Sequence, residues 1–127
     1  MSRWTSHLRR RLAARLSILT MAALTAGTAW GHVFPKEQEP AAGAAVASPP
    51  YVRITFDGPL EPSFSSLRVT DAAGKQVNVE KAKVDPNQHA VIWVALPTLA
   101  AGHYVVHWVA VASDGHRTHG DYPFDVK

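Results

Sequence analysis

Ten consecutive residues, HYVVHWVAVA from His103 to Ala112, put Tyr104, Val106, Trp108 and Ala110 on one side of an extended chain. Val105, His107, Val109 and Val111 fall on the other side. Such a segment is a strand whose large apolar face must be buried against a second layer. There is no cysteine to staple the fold. Packing alone, or packing with a bound ligand, has to hold it. Shorter runs repeat the theme. YVRITF aligns Val52, Ile54 and Phe56, while SSLRVTD, QVNVE and HAVIWVAL read as further strands. DYPFDV closes the chain, with Pro123 indicating an edge or strand-start position. DAAGK with Gly74, DPNQ and PTLAAG supply the turns. PKEQEPAAGAAVASPP reads as extended chain with turns. About six or seven short strands, with neither helical periodicity nor an internal repeat, predict an all-β antiparallel sandwich. Trp108, Tyr104 and Trp93 are the expected aromatic core anchors.

The first 31 residues stand apart. Arg3, Arg9, Arg10, Arg11 and Arg15 precede the apolar run LSILTMAALTAGTA, and AWG then offers Ala29 and Gly31 as the small residues of a cleavage site. This is the pattern of an export signal over residues 1–31, with a domain over 32–127. At about 14 residues the apolar run is too short to cross a bilayer comfortably. No membrane span is expected after cleavage. Removing the segment reverses the charge: residues 32–127 hold 8 Lys and Arg against 10 Asp and Glu, a formal charge of −2. Basicity therefore gives no reason to expect a nucleic-acid partner.

The chemistry lies in histidine. Residues 32–127 contain His32, His89, His103, His107, His116 and His119, and both methionines, Met1 and Met21, lie in the export segment. Without thiolate or thioether donors, nitrogen and oxygen remain, which suits Cu(II), Ni(II) or Zn(II) and disfavours Cu(I). Cleavage after Gly31 would make His32 the first residue. Its α-amine and ring Nδ1 can then chelate one ion, and the α-amine is easier to deprotonate than a lysine. A second histidine makes three nitrogens in a T, with a carboxylate in the next position, a tetragonal set that Cu(II) favours. Asp114 and His116, two apart in SDGH, lie on one face of an extended segment, and Gly115 lets them converge. Taken alone, Asp-Gly-His is an ordinary turn. Cleavage after Ala29 would instead begin the chain Trp30-Gly31-His32, itself a square-planar Cu(II) or Ni(II) chelator. His89, His103 and His107 are not assigned to metal, with His107 expected to face solvent.

The chain resembles the CopC-type periplasmic copper-resistance proteins from end to end. The carriers of the resemblance are His32, PAAG at 40–43, VRITF at 52–56, PSFSSLRVTDAAGK at 62–75, AGHYVVHWVAVASDGH at 101–116 and the closing GDYPFDV. Gly102, Tyr104, Val106, Trp108, Ser113, Asp114, Gly115 and His116 match the most specific motif. The resemblance implies a Greek-key β-sandwich or barrel, immunoglobulin-like or cupredoxin-like. It also implies a periplasmic, non-enzymatic protein that binds Cu(II) through His32 (amine and ring), His116 and Asp114. A membrane copper importer or a copper-dependent enzyme is the kind of delivery partner that family analogy allows. Three positions depart from the pattern. Asp57 stands one place before the usual acid of the first long strand, where strand alternation turns it to the other side, and it is left out of the metal set. Arg117 replaces the common proline after DGH, a cation able to repel Cu(II) or to pair with Asp114. His119 replaces a common serine and reads as a solvated side chain.

Two other classes compete. An N-terminal histidine chelate completed by a second histidine is also the copper site of oxidative polysaccharide monooxygenases. There a charged ligand such as Asp114, by stabilising Cu(II), would work against redox cycling. A metal-free immunoglobulin-like interaction module would make DGH only a turn and would leave His32 without a role.

Overall fold

The structure, a computed structural model, describes residues 32–127; the export segment assigned to 1–31, with both cleavage points, lies outside the described residues. Eight strands form, β1 Pro35–Glu39, β2 Ala45–Val46, β3 Tyr51–Phe56, β4 Ser66–Asp71, β5 Lys83–Val84, β6 Val91–Ala95, β7 Gly102–Val111 and β8 Arg117–Val126. They make two four-stranded sheets, ordered β1-β3-β6-β5 and β2-β8-β7-β4. All pairs are antiparallel except β2 with β8. No helix among the described residues is long and apolar enough to cross a membrane.

Alternation decides the core. Val52, Ile54 and Phe56 of β3 meet Tyr104, Val106, Trp108 and Ala110 of β7 inside the sandwich, joined by Leu67, Val69, Ile92, Val94 and Phe124. Burying each such aliphatic side chain contributes about 1.5–3 kcal/mol, so Ile54→Ala should cost about 2–5 kcal/mol. Trp108 meets Phe56 edge-on at 5.3 Å, and Tyr104 stacks on Phe124 at 5.6 Å.

Several segments differ from expectation. Trp93 is not a core anchor. It lies opposite Arg53 and Lys83 in the ladder, on the outer face of its sheet and only half-buried, with the Lys83 ammonium 5.8 Å from its ring centre. The neighbours Ile92 and Val94 take the inner face instead. QVNVE forms no strand beyond a bridge at Gln76. It covers the edge of β4: Val77 N–H donates to Val69 O, and buried Asn78 accepts the Val69 N–H through Oδ1 at 2.8 Å. A side chain thus supplies a ladder bond. The Pro- and Ala-rich stretch contains β1 and β2, which its sequence hid because β1 pairs through backbone without presenting an alternating apolar face. Pro123 does take an edge-like place, since β2 reaches only Asp125 and Val126 of β8.

The fold gathers three segments at one end of the sandwich. β3 runs out at Phe56 and the chain crosses to the other sheet, bridging Leu60 to Ala112. There the β7–β8 connection turns, and the N-terminal residues 32–34 enter β1 alongside.

Candidate metal centre

The β7–β8 turn is tight. Gly115 N–H donates to Ala112 O and Ala112 N–H to His116 O, both at 2.9 Å. Gly115 has φ +88°, a region that side-chain-bearing residues seldom occupy. Within the turn, Asp114 Oδ1 accepts the His116 backbone N–H at 3.0 Å, and Oδ2 lies 2.7 Å from His116 Nδ1. The His116 N–H first, and the His116 ring next, hold the Asp114 carboxyl below its ordinary range. An ionised carboxylate can only accept, so Nδ1 is the donor in this bond, and in the neutral ring Nε2 is the nitrogen left to accept. A carboxylate that fixes the histidine tautomer in this way is common around metal-binding imidazoles.

His32, the first of the described residues, comes to this turn from the far side of the sequence. Its ring centre is 4.9 Å from that of His116, with the planes at 69°. Imidazoles that share one ion through bonds of about 2.0–2.1 Å must hold their centres within about 6.5 Å, and 4.9 Å meets that requirement. Phe34 stands 6.3 Å from the His32 ring. His32 also borders a cleft of about 280 Å³ with Asp57, Gly58, Pro59 and Ser113. Among the described residues no three His, Cys, Asp or Glu side chains form a ready metal cage. Both oxygens of Asp114 are bonded to His116.

Asp57 lies one residue beyond the end of β3, so strand alternation does not govern it. It points back at the N-terminal segment, accepting the Phe34 N–H through Oδ1 at 2.9 Å, while its own N–H donates to Phe34 O at 3.0 Å. Thr118, which carried no sequence signal, donates its hydroxyl to Val33 O at 2.7 Å. Arg117 does not pair with Asp114; among the described residues it forms no ion pair. It opens β8 on the outer sheet face beside Phe64, Val109 and Val111. His119 is exposed on that face. His107 is turned outward but not simply solvated, since Nδ1 meets Asp121 at 2.6 Å and Nε2 meets Thr70 Oγ1 at 2.9 Å. His103 pairs with Asp125 at 2.7 Å, and the His89 ring contacts Pro86 O.

Comparison with known proteins agrees with the fold. The CopC domain family matches residues 35–127. Copper resistance protein C from Escherichia coli is 35% identical over 126 residues, covering 88% of this chain and all of the relative. The crystal structure of CopC from Methylosinus trichosporium OB3b superposes with a TM-score of 0.71 at 39% identity, over 76% of this chain and 94% of that one. PcoC from Escherichia coli, described as a methionine-rich copper resistance protein, gives 0.66 at 33% identity, over 76% and 99%.

Proposed function

The chain belongs to the CopC domain family, a family of copper proteins rather than enzymes, and on that premise we propose that it is a periplasmic carrier or store for Cu(II). His32 supplies its amine and ring, His116 its ring, and Asp114 a carboxylate oxygen. The single observation behind this reading is the 4.9 Å approach of the His32 and His116 imidazoles. Donor chemistry sets the oxidation state. Residues 32–127 contain neither methionine nor cysteine, in contrast to the methionine-rich relative, and nitrogen and oxygen donors favour Cu(II) over Cu(I). Asp114 adds negative charge beside the ion, which stabilises the oxidised state; to ligate, one of its oxygens must leave its bond to His116. A copper importer in the membrane is the partner to which such a carrier would deliver.

The test is electron paramagnetic resonance on the processed protein loaded with one equivalent of copper. The expected spectrum is a single type-2 Cu(II) centre with nitrogen hyperfine structure, lost in His116→Ala. A spectrum of loosely bound copper, unchanged by that substitution, ends the proposal. Intact-mass analysis of the exported protein fixes its first residue. A start at His32 supports the amine ligand; a start at Trp30 moves the copper to the peptide chelate and removes Asp114 and His116 from the site.

A further inference from the structure

We propose that Asp57 and Thr118, helped by Gly58, are positioning residues that dock the N-terminal arm before metal arrives, so that His32 already faces His116; this rests on the copper reading above. Three contacts define the docking. Phe34 N–H donates to Asp57 Oδ1, and Asp57 N–H answers at Phe34 O. The Thr118 hydroxyl donates to Val33 O. The Val33 side chain is 4% exposed and belongs to the main core. Gly58 leaves it room: a Cβ there would stand 3.0 Å from Val33 Cγ1, tighter than nine in ten real Cβ contacts.

The contacts come from both sheets. Asp57 and Gly58 follow β3 of one, and Thr118 sits on β8 of the other, two residues after His116. The arm therefore closes the end of the sandwich and is held on both sides of its backbone. Phe34 contributes little burial, being 53% exposed, so the hydrogen bonds and Val33 carry the docking. The physical consequence is entropic. A free N-terminal tripeptide would have to lose its backbone freedom when it closes on an ion. A docked one has lost it during folding, and the metal gains the full effect of chelation. Asp57 thus serves the site without ligating, and its place beyond the strand end is what that task requires.

The experiment uses the processed chain, its first residue verified as His32 by intact mass, with four variants: Asp57→Ala, Asp57→Asn, Thr118→Val and Thr118→Ser. Cu(II) affinity is read by competition with a chelator. Amide hydrogen exchange at Val33 and Phe34 is read on metal-free protein. Asp57→Ala and Thr118→Val are expected to bind copper about 10–100-fold more weakly and to exchange faster in the arm. Asp57→Asn keeps an acceptor oxygen and Thr118→Ser keeps a hydroxyl, so both should stay near the parent in both readouts. If Asp57→Ala and Thr118→Val bind copper as tightly as the parent, the positioning role is overturned. Equal losses in Asp57→Asn and Asp57→Ala also overturn it, since that pattern marks a carboxylate ligand. A parent chain that fails to hold copper overturns the copper reading first and the positioning role with it, and this is seen before any variant is made.

Discussion

Among the described residues three histidines hold an aspartate through Nδ1 at nearly one distance: His103 with Asp125, His107 with Asp121 and His116 with Asp114, all at 2.6–2.7 Å. Two of the pairs lie directly across the β7–β8 ladder, and the third closes a turn. The pair itself therefore does not distinguish a metal site from a structural clasp. What distinguishes them is the surroundings of the remaining ring nitrogen. His107 Nε2 meets the hydroxyl of Thr70, itself buried, and so completes a structural network. The His116 ring faces a second imidazole, that of His32. A histidine–aspartate pair becomes a candidate copper site only where the fold adds another donor.

The most decisive way to break this comparison is to exchange the losses. His116→Ala should weaken Cu(II) binding by more than about 100-fold, beyond what a supporting residue costs, while hardly changing stability, because the turn is exposed. Chelator competition and thermal unfolding measure the two. His107→Ala should do the reverse. It removes two hydrogen bonds and leaves the Thr70 hydroxyl buried without its partner, a loss of about 1–2 kcal/mol, with copper affinity unchanged. A copper defect in His107→Ala would mean that the outer sheet face takes part in the site.

A smaller effect sharpens the comparison on the inner face of β8. The Tyr122 hydroxyl is buried and has no hydrogen-bond partner among the described residues, and burial pushes its pKa above the ordinary tyrosine value. It lacks the partner that makes the histidine clasps favourable. Tyr122→Phe should therefore be neutral or more stable by about 1 kcal/mol at pH 7. The pH dependence has a definite sign. With the folded-state pKa raised, the unfolded chain loses its proton first, at about pH 10. Stability is then lost as pH rises above that value. Denaturant melts at pH 9 and above should show a steeper decline in the parent than in Tyr122→Phe. Equal declines would remove Tyr122 as the cause.

Much of this was legible in the chain because it depends on local pattern. Alternation in YVRITF and HYVVHWVAVA identified the inner faces of β3 and β7, since a strand's period of two is a property of neighbours. Asp-Gly-His shows the turn, and the export pattern expected over residues 1–31 draws attention to His32. The failures are non-local. Trp93 read as core, yet HAVIWVAL is apolar on both faces, and only the register with β3 and β5 shows that Trp93 faces out. Asn78 looked like a strand residue, and its use as a substitute ladder acceptor depends on β4. Thr118 gave no indication at all, because its partner is the backbone carbonyl of Val33 across the sandwich. Asp57 was set aside by strand parity, a rule that stops applying where β3 ends. Ligand types can be read from composition; the groups that aim them depend on tertiary contacts.

The weakest test concerns His103, and it protects the comparison from an easy mistake. Its bond to Asp125 is as short as that of His116 to Asp114, but the two side chains are 52% and 54% exposed. Water competes for both partners, and salt screens whatever charge they carry. Exposed pairs of this kind contribute about 0–1 kcal/mol. His103→Ala should therefore shift stability by no more than about 0.5 kcal/mol, by an amount that shrinks further in high salt, with no change in copper affinity. The pair is a cross-strand neighbour contact between β7 and β8, whose ten-residue register fixes it with or without the bond. A clear loss of copper in this variant would show that short histidine–aspartate distances, rather than a second converging imidazole, mark the metal-binding surface, and the contrast between the three pairs would fail.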